Sequence, residues 1–241
     1  MTMINRAPPY RLSYNHPAWL ELWEYFGADF KPEWCGGGDK KIMDEFARYP
    51  DAATFYRQTP VYCYHGPGYA LEAVKRQYYA IFLQGAVGDV SVLDYGCGAG
   101  DDGLLFLQMG YEVAFADFPS QSVNFLRWRL NRRGYRVSVY EVGIDHVPRH
   151  EVVWCMDVLE HQPPERQAAF LSEVCGLAEK CAIINLVNDP KADGKLHYPV
   201  DFDALTGHAD SLGDTGYYDF FEGRVRLLVI VKQIKEEKSN D

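Results

Sequence analysis

Short apolar runs alternate with helical patterns from about residue 89 onward. This alternation is typical of a parallel sheet wrapped by helices. Seven strands are predicted, at residues 90–95, 111–117, 136–142, 151–157, 180–187, 217–221 and 225–234. No helical pattern separates the last two runs, so they predict an antiparallel hairpin. The pattern therefore predicts an α/β fold with a seven-stranded, mostly parallel sheet, an antiparallel last strand and helices on both faces.

The connections between the strands show helical patterns with clear ends. Residues 101–110 begin with two acids and finish on a glycine, as helix caps prefer. Ser120 can cap a further helix, which Gly134 would end. Residues 163–179 start with two prolines, which suit a first turn, and then show an apolar stripe. We expect these three helices to cross over between the parallel strands.

Residues 1–85 differ from the rest because they are dense in Trp, Tyr and Phe. Helical patterns lie at residues 16–26, 40–49 and 70–83, and they are interrupted by "CGGG" (35–38) and "HGPG" (65–68). Most of these aromatic residues are expected to pack on the sheet. We therefore predict three parts, namely a helical cap and substrate segment (1–85), a sheet domain (86–235) and a charged tail (236–241).

The composition indicates which binding partners and which cellular compartment to expect. Lys and Arg total 24 against 34 Asp and Glu in 241 residues, a net charge of -10. Nucleic acid and anionic membranes reward clustered basic residues, so neither is an expected partner. No stretch has the composition of a signal peptide or of a membrane span of about 18 residues. Six cysteines without a CxxC pair favour reduced thiols in the cytoplasm.

The segment "VLDYGCGAGDD" (92–102) joins the first predicted strand to a glycine turn made by Gly96, Gly98 and Gly100. Glycines after a strand allow a sharp turn and let a ligand approach where a Cβ would collide. Asp117 ends the second predicted strand about twenty residues later, where an acid reaches the hydroxyls of a ribose. The spacing indicates a nucleoside at the carboxyl ends of these two strands.

A nicotinamide dinucleotide is the first alternative for such a nucleoside. However, Asp101 stands where the dinucleotide fingerprint has its third glycine, and Asp94 puts negative charge beside any pyrophosphate. An acid at position 94 instead suits a ligand with an ammonium group. Asp101 and Asp102 are expected to deepen the negative field.

Three motifs, "VLDYGCGAG", "VAFADF" and "CMDVLEH", occur in an order that resembles the class I S-adenosylmethionine-dependent methyltransferases. The resemblance extends from about residue 90 to 232 and implies a Rossmann-like sheet and S-adenosylmethionine as the cofactor. It implies that Asp94 and the backbones of Gly96 and Gly98 hold the amino-acid end of the cofactor. It further implies that Asp117 binds the ribose and that Phe118 lies along the adenine. Met156 and Asp157 would close over the site. One departure is Ile144, which stands where the family often has an acid for the adenine amine. Asp145 comes one residue late.

His161 follows the fourth predicted strand and is the candidate catalytic residue. Methyl transfer gains most from positioning, but a group that takes a proton near neutrality helps when the acceptor is a hydroxyl or an amine. The structural alternative is a capping or loop histidine. His197 and Tyr198 lie in the stretch 188–215, which is long for a connection and is therefore expected to line a pocket.

Asp157, Glu160 and His161 also resemble the E-x-x-E-H motif of the ubiquinone-pathway O-methyltransferases, where a divalent cation would be implied. We predict no metal, because Asp157 is expected to lie near the cofactor. In the cap, "TPVYCYHGPGY" contains Tyr62, Tyr64, His65 and Tyr69. Aromatic walls with polar tips suit a small acceptor that is partly apolar or cationic.

The predicted function is methyl transfer from S-adenosylmethionine to an oxygen or nitrogen of a small molecule. The first alternative is a partner or regulatory module that binds S-adenosylmethionine without catalysis. The second is a dinucleotide oxidoreductase. A protein or nucleic-acid acceptor is disfavoured, and the sequence leaves the oligomeric state open.

Overall fold

The computed structural model describes residues 17–35, 39–69, 90–188 and 195–232. Within these ranges, seven strands form one sheet. The strands are β1 (Ser91–Tyr95), β2 (Glu112–Asp117), β3 (Val139–Glu141), β4 (His150–Cys155), β5 (Ala178–Val187), β6 (Asp214–Phe220) and β7 (Val225–Val231). The helices are α1 (Pro17–Phe26), α2 (Asp39–Phe46), α3 (Ala52–Gln58), α4 (Val61–Tyr69), α5 (Asp101–Gln108), α6 (Gln121–Arg132), α7 (Pro164–Gly176) and α8 (Phe202–Asp210).

The strands are ordered β3-β2-β1-β4-β5-β7-β6. The pairs among β1 to β5 are parallel, whereas β7 runs antiparallel to both β5 and β6. The predicted fold class and the closing hairpin are confirmed. Parallel strands with crossover helices place the carboxyl ends of β1, β2 and β4 at one edge, where ligands of such sheets bind.

Both faces of the sheet are covered, because successive strand residues enter different cores. Val92 packs in a core with residues of α5 and α6, whereas the next residue, Leu93, packs in a core with residues of α7 and α8. Trp154 and Phe115 fill the first core without exposed surface. The near-continuous apolar strands reflect burial on both sides of a parallel sheet.

The predicted start signals are found at α7, which begins with Pro164 in its first turn, and at α6. The Ser120 hydroxyl accepts from the Val123 N–H at 3.2 Å, and Gly134 follows α6 with a φ of 77°. At α5 the N-terminal cap differs from the prediction. The N-cap residue is Gly100, which has no side chain to cap the helix, and Asp101 and Asp102 lie in the first turn. Asp94, at the end of β1, instead accepts the N–H of Gly103 at 2.9 Å.

The helices α1 and α4 pack on the sheet domain through α6, whereas Ile42 of α2 and Phe55 of α3 pack with Leu196. Trp19 and Leu22 of α1, together with Cys63 and Tyr64 of α4, form a core with Phe125 of α6. The predicted break at "HGPG" is wrong, because α4 continues through these residues. Burial of one side of α4 outweighs the low helix propensity of its glycines and proline, as tertiary packing often does.

Several predicted features fall outside the described residues. These are the helix at 70–83, the domain boundary at residue 85 and the tail 236–241, all of which stay predictions. Two short helices, α3 and α8, were not predicted from the pattern. All six cysteines are free thiols. Among the described residues, no helix combines the length and the apolar character needed to cross a membrane.

Two helical glycines offer a matched test of the packing of α5 on β2. An alanine Cβ at Gly103 would clash with the ring of Phe115 and lie 2.8 Å from Asp94 Oδ2, whereas one at Gly207 in α8 meets nothing within 4 Å. Gly103→Ala should lower the free energy of unfolding by about 1–3 kcal/mol through overpacking. Gly207→Ala should raise it by about 0.5–1 kcal/mol through helix propensity. Urea denaturation measures both, and stabilisation by Gly103→Ala would contradict this account of the contact.

Candidate active site

A cavity of about 840 Å³ lies at the carboxyl ends of the parallel strands. Its floor is formed by the residues that follow β1, β2, β3 and β4, and its roof by side chains of α2, α3 and α4. Every predicted cofactor-binding residue lines it, namely Asp94, Gly96, Gly98, Asp117, Phe118, Met156 and Asp157, as does the candidate catalytic residue His161. Residues far apart in the chain therefore meet in one place.

The turn after β1 has a backbone that glycine alone adopts readily. Gly96 and Gly98 have φ angles of 75° and 52°. A Cβ at Gly96 would also collide with the side chain of Val158, which follows β4. Gly98 lines the cavity, and a Cβ there would meet no protein atom within 4 Å.

The acids around the turn are engaged with protein groups. Asp94 accepts from Gly103 N–H, Asp102 accepts the indole N–H of Trp154 at 2.7 Å, and Asp101 pairs with Arg129 at 2.8 Å. The prediction that Asp101 and Asp102 deepen the negative field is therefore only partly right. The guanidinium of Arg129 compensates the charge of Asp101, which no sequence pattern indicated.

Asp117 is buried at the end of β2 and faces the cavity. Its Oδ2 accepts from Gly98 N–H and its Oδ1 from Phe118 N–H, both at 2.7 Å. Burial raises the pKa of this carboxyl to about 6, although the two N–H groups act to lower it. Each carboxylate oxygen can accept a second hydrogen bond, so the pair can still bind two hydroxyl groups.

The side of the cavity beyond Asp117 is apolar. Phe118 is partly exposed, and Val142, which follows β3, lines the same cavity. Asp145 accepts the backbone N–H of Glu141 at 2.8 Å and is not part of the cavity wall, while Ile144 is exposed to solvent. The described residues after β3 therefore place no carboxylate where the family often has one.

The residues after β4 are held in a constrained conformation. Asp157 has a φ of 57°, which is uncommon for a residue other than glycine. The fully buried Asn185 of β5 fixes it, since its Oδ1 accepts from the Asp157 N–H and its Nδ2 donates to the Asp157 carboxylate, both at 2.7 Å. Such strain persists only where the surroundings determine it, and it often occurs at functional sites. Met156, which is buried, lies next to it in the wall.

His161 ends the short 3₁₀ turn that follows β4. Its Nδ1 lies 2.7 Å from the carbonyl oxygen of Leu196 and 2.8 Å from the hydroxyl of Tyr56. A carbonyl oxygen can only accept, so Nδ1 has the proton and Nε2 has the lone pair. Burial lowers the pKa of His161 to about 4, and the nearby His197 acts in the same direction. The ring is therefore neutral at physiological pH.

Aromatic side chains of the cap form part of the cavity wall. Tyr56 and Tyr62 stack with ring centroids 5.3 Å apart, and His65 contacts Tyr62 edge-on. Desolvation by burial raises the pKa of Tyr62 to about 12, and it also raises that of Tyr56. Tyr64, named from the sequence as a candidate for this wall, faces away from it and stacks on Phe26.

Sequence reasoning missed part of this wall. Tyr56 and the apolar residues Ile42 and Met43 line the cavity but stand in no motif. His197, expected to line a pocket, does so, and its ring lies 4.7 Å from that of His161. Tyr198 makes a backbone hydrogen bond to Glu160 instead. The side chain of Tyr69 lies outside the described residues.

The residues named for an alternative metal site face different partners. Asp157 binds Asn185, and His161 turns its Nδ1 to Leu196. Across the described part of the chain, no three His, Cys, Asp or Glu side chains come together in a way that could hold a metal ion.

Residues 92–180 match the family model described as a methyltransferase domain. The matched segment runs from β1 into β5 and includes the glycine turn, Asp117 and His161. Residues 92–180 therefore form a methyltransferase domain. This confirms the resemblance to S-adenosylmethionine-dependent methyltransferases that the three motifs indicated. It also confirms the predicted enzyme class and S-adenosylmethionine as the cofactor. No curated protein matches the sequence.

Solved structures show the same fold at low identity. Magnesium protoporphyrin IX methyltransferase from Synechocystis PCC 6803 with bound SAM is 18% identical, with a TM-score of 0.55, 91% of this chain covered and 93% of that one. 1,6-Didemethyltoxoflavin-N1-methyltransferase from Burkholderia thailandensis is 19% identical, with a TM-score of 0.51 and coverages of 68% and 79%. An O-methyltransferase family protein from Burkholderia thailandensis is 14% identical, with a TM-score of 0.52 and coverages of 69% and 59%. At these identities the similarity concerns the fold.

The ionisation of His161 in this methyltransferase gives a direct test of the site geometry. Its pKa falls from 6.5 to about 4 on folding, so the unfolded chain binds more protons between these values. The stability that neutral His161 contributes is complete above pH 6.5 and is lost as the pH falls towards 4. NMR titration should show a neutral His161 ring at pH 5, with the signal assigned by its absence in His161→Gln. A midpoint near 6.5 would contradict the buried, Leu196-bound ring.

Proposed function

We propose that this methyltransferase acts on a small molecule and transfers the methyl group to an oxygen or nitrogen atom. The observation that supports this most directly is the shared cavity, which is lined both by the predicted cofactor residues and by aromatic side chains of the cap. Two of the proteins with a similar fold are named for small molecules that they methylate, a magnesium porphyrin and a toxoflavin precursor. We further propose that it works in the cytoplasm.

The cofactor half of the cavity fits S-adenosylmethionine by the chemistry of its groups. Asp117 offers carboxylate lone pairs for the two ribose hydroxyls, Phe118 and Val142 offer apolar surface for the adenine, and the turn at Gly98 leaves space for the amino-acid end. Asp94 lies beneath that turn and would favour the ammonium group. When bound, the cofactor supplies a methyl group on a positively charged sulfur, which needs no further activation.

The acceptor half is aromatic, and the buried Glu160, whose charge acts to raise the pKa of Tyr56 and Tyr62, lies close to it. Tyr56 and Tyr62 remain protonated, and His161 is uncharged, so the wall presents ring faces with hydrogen-bonding tips. Ile42, Met43 and Leu196 add apolar surface around them. Such a lining suits a flat aromatic or heteroaromatic acceptor that binds without a full negative charge.

His161 would orient the acceptor and take its proton. With Nδ1–H held by Leu196, the lone pair on Nε2 is available to an O–H or N–H group. Its low pKa makes it a weak base towards an unreacted hydroxyl. A hydroxyl that has gained a methyl group is a very strong acid, however, and gives its proton even to a weak base. The residue is therefore suited to act as bond formation proceeds rather than before it.

The test of the function starts with the ligand that co-purifies with the full chain, identified by mass spectrometry. Incubation of the protein with S-adenosylmethionine and panels of phenols, heteroaromatic N–H compounds, aliphatic amines and carboxylates follows, and formation of S-adenosylhomocysteine is measured. Turnover with a flat phenol or heterocycle supports the proposal. Tight binding of S-adenosylmethionine without turnover of any panel would contradict it and favour a non-catalytic binding module.

Asp117 should make cofactor binding pH-dependent. Its pKa is about 6 in the free protein, and hydrogen bonds from ribose hydroxyls favour the ionised form, so affinity should fall as the pH drops below that value. The loss should approach tenfold per pH unit. Calorimetric titration with S-adenosylhomocysteine between about pH 5 and pH 7 measures it. Asp117→Asn should flatten the profile, and Asp117→Ala should weaken binding by about 1–3 kcal/mol at neutral pH.

His161→Gln should separate chemistry from binding once an acceptor is known. The amide keeps polarity but cannot take a proton, so kcat should fall by on the order of 10² or more while the Kd for S-adenosylhomocysteine stays close to that of the parent protein. His208→Gln in α8, away from the cavity wall, is the matched control and should leave kcat unchanged. An unchanged kcat in His161→Gln would show that positioning alone drives the transfer.

A further inference from the structure

A buried ion-pair network connects the cap helix α1 to the glycine turn. The Arg129 guanidinium, on α6, is only 3% exposed. Its Nε donates to Glu21 of α1 at 2.9 Å, and its Nη1 donates to the carbonyl of Ala99 at 2.6 Å and to the carboxylate of Asp101 at 2.8 Å. Ala99 belongs to the turn and Asp101 is the first residue of α5, and both line the cavity. One guanidinium thus joins three elements.

Glu21 is the group that orients this guanidinium from the cap side. It is 2% exposed and also accepts from Arg133 through both carboxylate oxygens, at 2.6 and 2.8 Å. Burial acts to raise the pKa of Glu21, but the hydrogen bonds and charges of Arg133 and Arg129 outweigh it and lower the pKa. A buried arginine held by hydrogen bonds at each side has little freedom to release the turn.

An apolar contact supports the same connection independently. The side chain of Ala99 is 5% exposed and packs in the core that contains Trp19 and Leu22 of α1. The turn is therefore attached to the cap both through the carbonyl of Ala99 and through its methyl group. Gly98, which precedes it, is held by Asp117, whose carboxylate accepts the Gly98 N–H.

We propose that Glu21 is a positioning residue for cofactor binding, which acts through Arg129 to keep the glycine turn in its binding conformation. The cap then contributes to the affinity for S-adenosylmethionine without touching it. Coupling between two sites is reciprocal, so a bound cofactor must in turn stabilise α1. This proposal depends on cofactor binding and is independent of which acceptor is methylated.

Glu24 provides a matched control on the same helix. It pairs with Arg132 at 2.9 Å and is 38% exposed, and the hydrogen bonds found among the described residues connect it to Arg132 rather than to Arg129. Glu21→Gln and Glu24→Gln each remove one negative charge from α1 and retain the size of the side chain. Only the first weakens the hold on Arg129.

Calorimetric titration of the full chain and both variants with S-adenosylhomocysteine tests the proposal, after circular dichroism has shown that each variant is folded. Glu21→Gln should weaken binding by about 5–150-fold, the usual range of coupling between sites. Glu24→Gln should stay within about twofold of the parent, since exposed ion pairs contribute little. A folded Glu21→Gln protein with parental affinity would overturn the proposal.

Hydrogen exchange on the unaltered protein keeps the proposal testable if Glu21→Gln does not fold. Saturating S-adenosylhomocysteine should slow amide exchange in α1, whereas β6 at the far edge of the sheet should not respond. A purely structural role for Glu21 would leave exchange in α1 the same with and without ligand. Unchanged exchange in α1 at saturation would therefore also overturn the proposal.

Discussion

The site depends on buried carboxylates that bind backbone N–H groups at the start of α5 and in the glycine turn. Asp94 accepts from Gly103, and Asp117 accepts from Gly98 and from its own neighbour Phe118. A buried N–H group without a partner costs on the order of 1–3 kcal/mol. By accepting these N–H groups, the two carboxylates stabilise the turn in its conformation with positive φ angles. The cavity has its shape because this turn stays in place.

Charge in the site is determined by pairing rather than by the number of acids. The chain has a net charge of -10, and several carboxylates surround the cavity. Asp101 is compensated by Arg129, and Asp102 is occupied by Trp154. Asp117 is the carboxylate whose pKa burial raises to about 6, so it combines availability to a ligand with sensitivity to pH.

The cap completes the site in two ways. Tyr56 and Tyr62 supply a wall of uncharged rings, and Tyr56 contacts His161, which brings the cap to the candidate catalytic residue. On the other side, Glu21 reaches Arg129 and through it the turn. A methyl donor and an acceptor placed between these walls would be shielded from water, which favours transfer that depends on positioning.

The sequence by itself determined the sheet and the edge at which the candidate site residues meet, because both depend on short local patterns. Apolar runs between capped helices specify parallel strands, and the residues that follow β1, β2 and β4 must then meet at one edge. Only the tertiary structure decided which groups Arg129 binds and how Tyr56 and Leu196 contact His161. It also decided that α4 continues through "HGPG". These contacts join residues up to 140 positions apart, as Tyr56 and Leu196 show, and no local periodicity records such separations. Burial then sets the pKa values of Asp117 and His161, so their chemistry arises from folding rather than from residue type.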